Sequence, residues 1–138
     1  MVSKRDLQIQ ENRNIAFVTK NGSERVVFDV IRFSTGHTDA HDWTVFKICK
    51  ELKEQGFKFA TEVSFSCNGK TRRADVLDFT RGIAIEVQCS ESDESIAEKK
   101  KDWGDAGFDF LSVRAWKEPQ ISSELLDLWE DDGVWDTC

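Results

Sequence analysis

The sequence has no apolar run long enough to cross a bilayer. Nor does an apolar stretch follow Met1-Val2-Ser3-Lys4-Arg5-Asp6, so no secretory signal is expected and the cytoplasm is the expected compartment. There is no Cys-x-x-Cys pair. Cys49, Cys67, Cys89 and Cys138 are scattered, three of them inside apolar patterns, and read as reduced core residues rather than zinc ligands. His37 and His41 lie four apart, but Thr38-Asp39-Ala40 between them lacks the glutamate of a zinc-protease pattern. A helix start with two surface histidines is the plainer reading. Internal repeats, low-complexity tracts and zinc-finger or basic-zipper sequence readers are all absent. Residues 118–138 contain no Lys or Arg, yet carry Glu118, Glu124, Asp127, Glu130, Asp131, Asp132 and Asp136.

That last absence changes the meaning of the charge. The formal net charge of -7 comes from 19 basic and 26 acidic side chains, so the seven acids of the tail account for the whole excess. Residues 1–117 are balanced, and net charge does not exclude a nucleic-acid partner. With 138 residues, 39% apolar and 33% charged, the chain fits one globular domain able to bury its own core.

Residues 14–33 predict an N-terminal β-hairpin about Asn21-Gly22, with Ile15 facing Phe28 and Phe17 facing Val26. Residues 39–55 predict a helix capped by Thr38 or Asp39. Its apolar stripe is Val45, Ile48, Cys49 and Leu52, widened by Trp43 and Phe46. Residues 57–67 alternate, with Phe57, Phe59, Val63, Phe65 and Cys67 on one expected face. Asn68-Gly69 is a second hairpin turn, and strands follow at 70–79 and 82–89. Residues 93–104 predict a helix capped by Ser92, and 108–116 a last strand reached by a crossover. In the tail, Ile121, Leu125, Leu128 and Trp129 fall at helical spacing opposite acids. Such a helix is weak unless it docks, because acids near its C-terminal end oppose its dipole.

Register arithmetic sharpens the chemistry. A two-residue turn at Asn68-Gly69 sets Glu62 opposite Asp75, and one at Thr80-Arg81 sets Asp75 opposite Glu86. Three carboxylates on one face would span roughly 10 Å and repel unless a hard divalent cation, Mg²⁺ or Mn²⁺, compensates. Glu86 sits within the apolar run Ile83–Val87, where an unpaired carboxylate is expensive.

Arg73-Ala74-Asp75-Val76, ten residues, then Glu86-Val87-Gln88 resembles the PD-(D/E)XK nuclease superfamily. Within it, Glu62, Arg72–Val76 and Ile85–Ser90 most resemble the competence-protein CoiA-like nucleases. The resemblance covers residues 39–116 and implies an α/β restriction-endonuclease-like core, α-β-β-β-α-β, with a mixed central sheet flanked by helices. It also implies metal-dependent hydrolysis of DNA phosphodiester bonds. Asp75, Glu86 and the Val87 carbonyl would hold Mg²⁺ or Mn²⁺, with Glu62 as an additional ligand. Gln88 replaces the family's usual lysine and can orient water only by hydrogen bonds. Lys100, on the face of Ile96 and Trp103, is the expected replacement cation. Lys70, Arg72, Arg73, Arg81 and Lys99 are candidate phosphate contacts, and Arg73 alternatively neutralises Asp75. A non-catalytic nucleic-acid-binding or interaction module on the same fold is the second reading. A homodimer and a protein partner for the acidic tail complete the expectations.

Overall fold

The computed structural model describes residues 3–22 and 26–115. Its elements run α1 (Lys4–Asn21), α2 (Asp39–Glu54), β1 (Phe59–Cys67), β2 (Lys70–Asp78), β3 (Ile83–Gln88), α3 (Asp93–Asp105) and β4 (Asp109–Arg114). The expected acidic tail, residues 118–138, lies outside the described residues. No described helix is long and apolar enough to cross a membrane.

The N-terminal hairpin is not formed. Residues 4–21 are one helix, capped by Ser3, whose Oγ accepts from Asp6 N at 3.1 Å. Asn21-Gly22 ends that helix instead of turning a hairpin: Gly22 N donates to Val18 O, and Asn21 Nδ2 to Phe17 O. The helical signal is faint because part of the inward face is amide rather than apolar. Asn14 is buried and donates to Phe79 O at 2.8 Å, while Gln10 donates to Arg81 O at 2.9 Å. Gly82, at φ +71°, lets these amides approach; a Cβ there would meet Asn14 Nδ2 at 3.0 Å.

The remaining elements fall within a few residues of expectation. Thr38 caps α2 and Ser92 caps α3. The sheet order is β1-β2-β3-β4, antiparallel for the first two pairs and parallel between β3 and β4, which α3 connects. Both registers agree with the sequence arithmetic. Val63 pairs with Ala74 across the Asn68-Gly69 turn, and Val76 pairs with Ile85 across a four-residue loop that keeps the even count.

The faces do not follow from the register. Ala60, Val63 and Phe65 share one core with Trp103 and Phe108, whereas Phe59 joins the opposite core with Ile48 and Leu52. On β2, Ala74 and Leu77 share a core while Val76 lies in the other. Both strands therefore reverse their alternation at the same place, where Glu62 takes φ +53°. The single apolar face expected for 57–67 is two half-faces. One packs under α1 and α3, the other under α2. Cys49 and Cys67 are free thiols, as expected of reduced residues.

Candidate metal centre

The reversal decides where the acids go. The β2–β3 ladder ends at Val76–Ile85, one pair short of Asp75 and Glu86. Asp75 takes the place of the next ladder acceptor: its Oδ2 accepts from Val87 N at 2.7 Å. Its Oδ1 lies 3.2 Å from His41 Nε2, on α2. Glu86 faces the other helix, accepting from Lys99 Nζ on α3 at 2.7 Å. Lys99 also donates to Glu91 at 2.6 Å.

Glu86 is buried, and its second oxygen, Oε2, has no hydrogen-bond partner among the described residues. Burial pushes its pKa up. Lys99 opposes this, and the charges of Glu91 and Asp75 add to the rise. Burial pulls Lys99 down, but its bonds to Glu86 and Glu91 outweigh that and leave it raised. His41 follows the same pattern, with burial outweighed by Asp75 and then Asp42, so its pKa is also raised. His37 stacks on His41 with ring centroids 3.8 Å apart. Among the described residues, His37, His41 and Asp75 are the group of three or more ligand-type side chains whose donor atoms lie within 4.8 Å of one another.

The expected row of three carboxylates is thus not assembled. Glu62, Asp75 and Glu86 form no trio at ligand separation among the described residues. Glu62 turns toward Arg73, whose guanidinium lies 3.7 Å away, and lines a recess with Arg32 and Val27. The expected lysine is also exchanged. Lys100 is exposed, and Lys99 reaches the acid. Gln88, at the end of β3, pairs with Arg114 in the sheet, and its carbonyl accepts from Ala115 N.

The candidate phosphate contacts are largely engaged. Arg72 bonds Asp102 at 2.5 Å and Glu98 at 2.8 Å, and Lys70 pairs with the same Glu98. These ties clasp the β1–β2 turn to α3, helped by Asn68, which donates to Asp102 and Asp105. Arg81 bonds Asp78 at 2.6 Å and lies over the Phe57 ring. Arg73 is the freest of the set, half exposed beside Glu62.

Two residues given other roles in the sequence, His41 as a surface histidine and Lys99 as a phosphate contact, carried a signal of their place. The α2 stripe Val45, Ile48 and Leu52 extends one turn back to His41, which marks that histidine as inward-facing. On α3 the buried neighbours are Asp102 and Trp103, and one turn before them falls on Lys99 rather than Lys100.

Set against known proteins, the chain matches no family model, no curated protein and no solved structure.

Proposed function

We propose that the chain is a metal-dependent nuclease acting on DNA in the cytoplasm, on a restriction-endonuclease-like core. The order α2, β1, β2, β3, α3, β4 is the one this resemblance implies, and the mixed sheet agrees with it. One observation carries the reading. Asp75 and Glu86 sit where β2 and β3 part, and Glu86 keeps a buried oxygen that no group among the described residues satisfies. Native proteins rarely leave such an acceptor unpaired without a use for it.

The residues present fit a divalent cation. His37, His41 and Asp75, whose donor atoms lie within 4.8 Å of one another, are its donors in this reading, and Glu86, which faces α3, lies outside that group. Nitrogen donors beside a carboxylate favour Mn²⁺ over Mg²⁺. Bound there, the ion would polarise a phosphate and lower the pKa of a coordinated water. The protein's own groups supply the rest. Val87 N–H fixes Asp75, His41 holds its other oxygen, and α2 anchors that imidazole through the Thr38 cap. Lys99 supplies the positive charge that Gln88 cannot. It sits against Glu86, where a developing phosphorane charge would gain from it.

The test is cleavage. Purified chain with Mn²⁺ or Mg²⁺ should cut at least one of single-stranded, duplex and branched DNA. Asp75→Asn and Glu86→Gln should abolish cutting while keeping the wild-type circular dichroism. If all three substrates stay intact with both metals, the enzyme reading fails. A mobility shift without cutting would then support the non-catalytic binding module.

A further inference from the structure

We propose that the groove between α2 and β4 receives the chain's own C-terminal segment, residues 118–138, with Ile121, Leu125, Leu128 and Trp129 as its buried face. The argument is independent of catalysis.

β4 is an edge strand of the sheet. Among the described residues, α2 packs chiefly on β1, β2 and β3, and Leu111 of β4 stays exposed beside it. The result is a groove of about 430 Å³ whose apolar wall includes Leu52, Ile85, Leu111 and Val113. Leu111 is 49% exposed in mid-strand, an unusual position for a leucine. Arg81 and Arg114 also line the groove, against the single acid Glu51 among its described walls.

The segment matches this surface in three ways. It continues directly from β4: Ile121 is seven residues after Arg114, and an extended connection of that length spans roughly 20 Å. That is enough to turn back over the strand. Its apolar residues recur at helical spacing, the pattern of a helix that buries one side. Its charge is wholly acidic, with seven carboxylates and no Lys or Arg, complementary to the two arginines. A short helix with acids at its C-terminal end has little stability of its own. An apolar groove flanked by guanidinium groups supplies what it lacks.

Hydrogen exchange on the full chain tests the proposal, comparing wild type with the double variant Leu125→Asp, Leu128→Asp. Peptides covering Leu111–Val113 and Ile48–Leu52 should exchange at least tenfold faster in the variant. Peptides from α1 and α3 should be unchanged, which reports that the fold is intact. The reverse variant, Leu111→Asp, should speed exchange within residues 118–138. Groove peptides that exchange at the same rate in wild type and double variant would overturn the proposal. So would protection that rises with protein concentration, since a second copy would then be the occupant.

Discussion

Replacing Lys99 with methionine tests the charge arrangement of the centre. Lys99 Nζ makes two charge-assisted hydrogen bonds, to Glu86 at 2.7 Å and to Glu91 at 2.6 Å, and its side chain is 22% exposed. Charge-assisted bonds of this kind contribute about 1.5–3 kcal/mol when buried, and partial solvent access moves both toward the low end or below it. Methionine preserves most of the aliphatic stem. The expected loss is therefore about 2 kcal/mol at pH 7, or a fall in Tm of roughly 6–10 °C for a chain of this size.

The loss should depend on pH. Glu86 is already raised in the folded state, and removing its cation raises it further. A carboxyl so raised favours the fold below its unfolded pKa, about 4.3, and that stability is lost as pH rises through the folded value. The Lys99→Met deficit should accordingly be small in acid and fully expressed near neutrality. Lys100→Met, on an exposed side chain, should change stability by no more than about 0.5 kcal/mol. Thermal melts of both variants from pH 4 to pH 8 measure this. Equal shifts for the two, or a Lys99→Met deficit independent of pH, would refute the assignment of Lys99 to Glu86. In the cleavage assay, Lys99→Met should lower kcat by about 10²–10³, and Lys100→Met should not.

Three further outcomes follow from the packing. Asn14→Ala should cost about 1–3 kcal/mol by leaving the Phe79 carbonyl unpaired, and Asn14→Asp should cost more, since it sets acceptor against acceptor in chemical denaturation. Burial pushes the Cys49 thiol up to about 12, so at pH 8 it should resist alkylation until the protein unfolds. Arg72→Ala should lower Tm more than Arg73→Ala at neutral pH. Glu98 and Asp102 are both held below the usual carboxylate range, Glu98 by Lys70 and then Arg72, Asp102 by Asn68 and then Arg72. A depressed carboxyl stabilises above its unfolded pKa, so this difference should vanish as acid protonates the pair.

What could be read from the sequence was what local chemistry dictates. Asn68 and Gly69 both take positive φ, as the two-residue turn requires, and that turn fixed the pairing of β1 with β2. The caps Thr38 and Ser92 were equally local. The reversal at Glu62 was not legible, because a glutamate at positive φ has no sequence signature and the pairing count is unchanged by it. It sent Asp75 toward α2, Glu86 toward α3 and Glu62 toward Arg73. The helix α1 escaped notice for a different reason. Gln10 and Asn14 bind backbone carbonyls of the β2–β3 loop, so specific polar contacts stand where periodicity looks for apolar side chains.

The most direct test of the account is Mn²⁺ binding followed by electron paramagnetic resonance, in wild type and in Asp75→Asn, Glu86→Gln and Glu62→Gln. Wild type, Glu62→Gln and Glu86→Gln should bind one ion with similar affinity, while Asp75→Asn should lose it. Binding that survives Asp75→Asn, or that disappears with Glu62→Gln alone, would contradict a centre built on His37, His41 and Asp75.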